Sequence, residues 1–390
     1  MFPFQERNNL FSYYETDDIF DVVGEGSFAT VYKAKCLFDD EQRGLFHQGD
    51  MVALKVFDKE KMDEKKAKDV INEVEILRHV KHQNCVKLVD VFQTQTKVFV
   101  VMNFIPGDEL FSVLKRGSLS EERARHMICQ LLSALEYLHS NGVVHRDIKP
   151  ENILVCDDVV TLVDFGLSRV IGKQSRRLGR AVPYVSHYPP RSASVDSLDH
   201  SDSPFLATPC GTVKYAAPET IKSMDGTGGS SRNGFNTTPN LLPKIDVYSV
   251  GILLYVMLSG RLPFDISGKY GALYKQMENG PSFENSRWEN ISEEAKDLTR
   301  ALLRSNPDER PSASEALRHQ WFSCNSFSQQ VNECAPVDEA LGERKYLTEA
   351  FGAMRPPEYE IIDKMEEHSY GNRGRVYNVP FSKPTSYFDL

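Results

Sequence analysis

The chain has 390 residues, of which 41% are hydrophobic and 26% charged, and a formal net charge of −9. That composition is enough to bury a sizeable core. It provides no global basic field, which speaks against nucleic acid or an anionic membrane surface as a partner.

Residues 1–18 are polar and aromatic without a clear period and read as an N-terminal tail. They lack the basic stretch followed by a long apolar one that marks a secretory signal. No apolar run of about 18 residues predicts a membrane-spanning helix. From Ile19 to Lys35, β-branched and aromatic residues surround a glycine loop. Met51–Phe57 (MVALKVF) and Val98–Met102 (VFVVM) are apolar runs of strand length. Between them, Val70, Ile71, Val74 and Leu77 fall at helical spacing within Lys68–Val80. The mixed stretch Asp58–Asp69 (DKEKMDEKKAKD), whose charges cancel, reads as solvated surface.

After Met102 the character turns helical. Ser118 and Ser120 offer caps, Glu121 and Glu122 suit the positive end of a helix, and Met127, Ile128, Leu131, Leu132, Leu135 and Leu138 form its apolar face. Val247–Leu258 and Glu293–Leu303 predict further helices. Two segments break the pattern: 170–206, rich in Ser, Arg, Pro and Asp, and 223–240, rich in Gly, Ser and Asn. Both read as mobile insertions. Residues 323–390 form a C-terminal tail with weak helical patches, which either docks through Tyr359, Ile361, Ile362 and Tyr377 or is disordered. The seven cysteines are scattered without a C-x-x-C pair, which fits reduced thiols in the cytosol, with the nucleus as an alternative.

Four motifs stand in order along the chain: GEGSFATV at 24–31, VALK at 52–55, VVHRDIKPENIL at 143–154 and VDFGL at 163–167. Together they resemble the protein kinase family, over about Ile19 to Phe322. The resemblance implies an α+β, two-lobed protein kinase fold. A small strand-rich N-lobe with one main helix (19–102) would precede a larger helical C-lobe (106–322). It also implies an enzyme that transfers the γ-phosphoryl group of ATP to protein hydroxyls with Mg2+ as cofactor.

On that resemblance the loop of Gly24, Glu25, Gly26, Ser27, Phe28, Ala29, Thr30 and Val31 would cover the triphosphate. Its two glycines would let backbone N–H groups approach without a Cβ in the way. Ala29 stands where the family pattern has a third glycine. Lys55 would reach the phosphates. Flanked by apolar residues it points into a cleft and needs a carboxylate, for which Glu73 is the candidate. Glu75, roughly 200° further round the helix, cannot face the same way. Asp147 would orient the substrate hydroxyl and accept its proton, and Lys149 would stabilise charge on the transferred group. Asn152 and Asp164 would hold magnesium through oxygen. Val31, Ala53 and Leu154 would sandwich adenine, Met102 would stand at the back of its pocket, and Asn103, Phe104 and Ile105 would offer backbone bonds.

The loop DIKPEN and the segment CGTVKYAAPE at 210–219 resemble the serine/threonine form, with Thr212 bonding Asp147 and Lys149. Glu219 would pair with Arg310, and Asp246 would tie down the catalytic-loop backbone. GDELF at 107–111, ISEEAKDL at 291–298, NPDERPS at 306–312 and ALRHQWF at 316–322 resemble the calcium/calmodulin-dependent kinase group. That group prefers an arginine upstream of the target residue, for which Glu109 and Glu151 are matching acidic positions; Glu109 would alternatively serve the ribose. Thr208 aligns with the group's activation-loop phosphosite, where an upstream activating kinase would act and Arg146 would receive the phosphate. Arg191, three residues before Ser194, makes Ser194 a candidate for self-phosphorylation. The tail has no basic amphipathic segment, and no EF-hand pattern occurs, which argues against calmodulin or direct calcium control. A kinase-fold scaffold without activity would have lost Lys55, Asp147 or Asp164; all are present.

Overall fold

The computed structural model describes residues 2–7, 10–15, 22–26, 29–39, 46–171, 212–224 and 241–323. The first lobe is built on a curled sheet whose order is β1 (Gln5–Glu6), β6 (Leu88–Gln93), β7 (Lys97–Asn103), β5 (Met51–Asp58), β4 (Ala29–Cys36) and β2 (Tyr14–Glu15), with β3 (Val22–Glu25) also paired to β4. Its centre is antiparallel and tightly registered: Val31 lies opposite Lys55, and Ala53 opposite both Lys33 and Met102. Because side chains alternate along a strand, Val31, Ala53 and Lys55 share one face.

One main helix, α1 (Glu64–His79), accompanies this sheet. Asp63 caps it by accepting the N–H of Lys66 at 2.7 Å. Val70, Val74, Ile76 and Leu77 are buried along it.

Residues 2–7 and 10–15, which show no period in the sequence, are laid along this sheet. β1 runs parallel to β6, and the Gln93 side chain donates to the carbonyls of Phe2 (3.0 Å) and Phe4 (2.7 Å). Tyr14 is fully buried, stacks on Phe92, and donates its hydroxyl to Asp90 at 3.0 Å beside the Arg7–Asp90 ion pair.

The second lobe is helical. It comprises α2 (Leu110–Leu114), α3 (Glu121–Ser140), α4 (Pro218–Met224), α5 (Pro243–Ser259), α6 (Tyr270–Asn279), α7 (Glu293–Leu302) and α8 (Ala313–Leu317). Ser120 caps α3 by accepting the N–H of Arg123, and the expected apolar face is buried throughout. α5 is buried on nearly every side, the condition of a helix at the centre of a core. A Cβ on Gly251 would stand 2.9 Å from Leu302 Cβ, so the α5–α7 contact requires glycine there.

Short strands carry the loops between the lobes. β8 (Asp108–Glu109), β10 (Ile153–Cys156) and β11 (Val159–Leu162) form one sheet, and β9 (Val143–Val144) pairs with β12 (Arg169–Val170). Asp157 and Asp158, both at positive φ, make the two-residue hairpin between β10 and β11. Val170 belongs to β12, and Ser223 and Met224 close α4, so the two expected insertions lie outside the described residues except at these ends. The C-terminal tail after Ser323 also lies outside them, as does Ser194. Among the described residues no helix is long and apolar enough to cross a membrane.

Candidate active site

The sheet and α1 meet at Lys55. Its ammonium donates to Glu73 Oε1 at 2.6 Å and to Asp164 Oδ1 at 2.8 Å. Burial pulls the lysine's pKa down, but the two carboxylates outweigh it and hold the group well above the usual lysine range. Lys55 in turn holds the Asp164 carboxyl well below the usual carboxylate range, against its partial burial. Glu75 faces away and pairs with Arg78 at 2.7 Å.

Asp164 sits at φ +58 and Arg146 at φ +70. Non-glycine residues reach such values where the surroundings fix them. For Arg146 the fixing group is visible: the buried Asp246 of α5 accepts the N–H of His145 at 2.8 Å and of Arg146 at 2.7 Å, and the His139 ring at 2.9 Å. Burial would raise the Asp246 carboxyl, yet the hydrogen bond and charge of His139 keep it below its ordinary value. His145 is fully buried and held below the usual histidine range by that burial. Its Nδ1 accepts the N–H of Asp147 and its Nε2 donates to the carbonyl of Val163.

The loop so anchored presents Asp147. Its Oδ2 accepts from Lys149 Nζ and from Asn152 Nδ2, both at 2.8 Å. Asn152 Nδ2 also donates to the Asp147 carbonyl at 2.9 Å, which turns the amide oxygen of Asn152 away from Asp147. The N–H of Val163 donates to the Asn152 carbonyl at 3.0 Å, so the strand leading into Asp164 is tied to the loop carrying Asn152.

Of the expected adenine contacts, Met102 is buried while Val31, Ala53, Asn103, Phe104, Ile105 and Leu154 are half-buried. The N–H of Asn103 already donates to Lys87 and that of Phe104 to Met51. Ile105 is the position of the three whose N–H has no acceptor among the described residues. In the glycine loop, Gly26 donates its N–H to Ala29 at 2.9 Å. A Cβ at Gly24 or Gly26 would make only ordinary contacts, and neither residue has positive φ. The fold itself does not require glycine there, so the space is left for something else. Glu25, Ala29 and Thr30 flank it on β3 and β4; Ser27 and Phe28 lie outside the described residues, as does the side chain of Thr212 and all of Thr208. Glu109 and Glu151 lie close to each other: burial first, then the Glu151 charge, raises the Glu109 carboxyl.

The family model described as protein kinase domain matches residues 18–322. This chain belongs to the protein kinase family. Similar kinases include CBL-interacting protein kinase 10 of Oryza sativa subsp. japonica (32% identical over 340 residues, 86% of this chain and 62% of the relative). Others are CBL-interacting serine/threonine-protein kinase 13 of Arabidopsis thaliana (34% over 310 residues, 78% and 51%) and the Saccharomyces cerevisiae serine/threonine-protein kinase RAD53 (31% over 354 residues, 88% and 37%). The chain thus spans between 37% and 62% of the length of these three relatives.

In this kinase the Glu219–Arg310 pair is buried and bidentate, at 2.8 and 3.1 Å. Arg310 also donates to the Lys244 and Arg304 carbonyls and lies 4.7 Å over the Tyr248 ring. Sequence reasoning missed His139, whose partner stands 107 residues away. It also read Asp69 as part of a solvated surface. The structure pairs Asp69 with Arg169 at 2.7 Å instead.

Proposed function

We propose that the chain transfers the γ-phosphoryl group of ATP to serine or threonine hydroxyls of proteins. The observation that carries this reading is Lys55 clasped by Glu73 and Asp164, in a cleft whose other wall carries Asp147, Lys149 and Asn152 as one hydrogen-bonded unit. Phosphoryl transfer asks for positioning and charge stabilisation rather than covalent chemistry by the protein. Lys55 would bind α- and β-phosphate oxygens, kept charged and aimed by its carboxylates. The backbone at Gly24 and Gly26 would close over the phosphates. Ile105 N–H would bond the adenine edge, with Val31, Ala53 and Leu154 against its faces and Met102 behind. Asp147 would hold the incoming hydroxyl and take its proton, and Lys149 would stand beside the moving charge.

The donors fit magnesium. Asn152 keeps its amide oxygen turned from Asp147, Asp164 has a half-exposed carboxylate, and no cluster of three metal-ligating side chains exists among the described residues. One carboxylate and one amide oxygen, completed by phosphates and water, suit this cation better than an all-protein cage. Bound there, the metal would neutralise triphosphate charge.

Glu109 and Glu151 support a preference for arginine upstream of the target hydroxyl, because two neighbouring carboxylates favour a cation between them. Phosphorylation at Thr208 by an upstream kinase, and at Ser194 by the chain itself, completes the reading. The seven cysteines, scattered without a C-x-x-C pair, support a reducing compartment, cytosol or nucleus.

The test is transfer of radiolabelled phosphate from ATP and magnesium to a randomised peptide library. Wild type should label Ser/Thr peptides enriched in upstream arginine, and Lys55→Met and Asp147→Asn should not. A wild-type protein that labels nothing ends the proposal, and labelling without arginine enrichment ends the stated preference.

A further inference from the structure

Three polar side chains of α1 fall at positions 69, 72 and 73. Spacings of three and four residues put them on one face of a helix. Glu73 faces the sheet of its own lobe, while Asn72 and Asp69 reach across to the segment after VDFGL. Glu73 accepts from Lys55 at 2.6 Å. Asn72 Nδ2 donates to the Ser168 carbonyl at 2.8 Å. Asp69 Oδ1 accepts from Arg169 Nη2 at 2.7 Å. Only the first belongs to the site described above.

Ser168 and Arg169 immediately follow the VDFGL segment and are themselves held. Arg169 opens β12 opposite Val144 of β9, next to the catalytic loop. Ser168 Oγ donates to the His145 carbonyl, and Arg169 Nη1 donates to the Ser168 carbonyl that Asn72 also reaches. A helix of one lobe is thus pinned at two further points to the strand pair that carries the catalytic loop of the other.

The charges explain why the outer pin is a carboxylate. Arg146 is largely buried; burial first, and then the like charge of Arg169, pull its guanidinium below the usual arginine range, while Asp246 and Asp69 oppose them. Two guanidinium groups side by side need a counter-anion. A phosphate on the activation segment is one source of such charge. Asp69 supplies negative charge from the chain itself, with its carboxylate four-fifths buried against Arg169. Ion pairs so placed are screened less than surface pairs.

We infer that Asp69 is a positioning residue. Through Arg169 it latches α1 onto the segment after VDFGL and so delivers Glu73 to Lys55 without any modification of the chain. The inference deepens the phosphotransfer reading and rests on it for its functional consequence, not for its geometry.

The test uses the full chain after phosphatase treatment, as wild type, Asp69→Ala, Arg169→Asp and the exchanged pair Asp69→Arg with Arg169→Asp. Three readouts are taken: hydrogen exchange across 64–79, affinity for a fluorescent ATP analogue with magnesium, and kcat and KM for peptide phosphorylation. Asp69→Ala and Arg169→Asp should each speed exchange in 64–79 and weaken nucleotide binding by about fivefold, as loss of a partly buried ion pair predicts. KM for ATP should rise more than kcat falls, and the exchanged pair should recover most of each loss. Unchanged exchange and nucleotide affinity in both single variants would overturn the latch, as would an exchanged pair no better than the singles. Exchange and nucleotide binding do not need turnover, so a wild type inert in transfer would sink the enzymatic reading while these two readouts still judged Asp69.

Discussion

Glu219→Gln tests the buried charge pair of the helical lobe. The substitution keeps size and one acceptor oxygen but removes the charge, leaving the Arg310 guanidinium, whose side chain has no solvent exposure, with a neutral amide oxygen and the Lys244 and Arg304 carbonyls at 2.6 and 3.0 Å. Breaking a buried pair from one side costs about 3–5 kcal/mol, and these carbonyls place the expected loss near ~3 kcal/mol. Arg310→Met takes the guanidinium away from a nearly buried carboxylate and should cost a similar amount. The double variant removes both charges and should lose less than the sum, by about 2 kcal/mol of coupling. Urea unfolding followed by tryptophan fluorescence reads this directly, since Trp288 and Trp321 are the chain's two tryptophans and both are buried in that lobe. With a slope of about 3 kcal/mol per molar, the single variants should shift the midpoint by about 1 M. Single losses below about 1 kcal/mol, or strict additivity, would refute the argument that the pair is a desolvated unit.

Lys55→Met should abolish transfer while leaving the urea midpoint of the helical lobe in place, and Asp147→Asn should lower kcat by several orders of magnitude with little change in nucleotide affinity; equal losses in both parameters would reassign Asp147 to binding. The depressed Asp164 carboxyl contributes stability that is present above its unfolded value near 3.9 and is lost as pH falls through the lower folded value. The stability difference between wild type and Asp164→Asn should therefore shrink on acidification below about pH 4, and a constant difference from neutral pH downward would contradict the ion pair with Lys55. Deleting residues 2–15 uncovers Phe92 and takes Arg7 and Tyr14 away from Asp90, so thermal unfolding of the strand-rich lobe should drop by several degrees, about 2–4 °C per kcal/mol in a protein of this size; an unchanged melting curve would mean the segment adds nothing. A Cβ at Gly107 would clash with the Val155 carbonyl, so Gly107→Ala should destabilise β8 and raise KM for peptide, whereas normal peptide kinetics would show that this turn relaxes freely.

The parts legible in the sequence were those whose signal is local. α3 announces itself by its Ser120 cap and a face that is buried as the period predicts. β5 and β7 are continuous apolar runs whose β-branched residues suit a covered sheet. The motif residues were legible as motifs, the choice of Glu73 over Glu75 included, and the structure adds which atoms meet: Lys55 Nζ with Glu73 Oε1 and Asp164 Oδ1, and the N–H groups of Asn103 and Phe104 with the carbonyls of Lys87 and Met51. What stayed hidden depends on distant partners. β6 carries Asp90 in mid-strand, which disguises it until Arg7 and Tyr14 arrive from more than 70 residues away. The strands near the N-terminus are two residues long, too short for any period to appear. Asp69 closes a run of alternating charge and differs from its neighbours only because Arg169 stands opposite.

Asp246 gives the catalytic loop an unusual kind of permanence. The loop's backbone hangs from a carboxylate on the helix most deeply enclosed by apolar side chains, so the amides of His145 and Arg146 open only when that enclosure does. Their positions are therefore inherited from the oily interior of the larger lobe rather than from the cleft. Sequence at the cleft's rim can drift, reshaping what is recognised, while the anchor of the loop that carries Asp147 stays where it is.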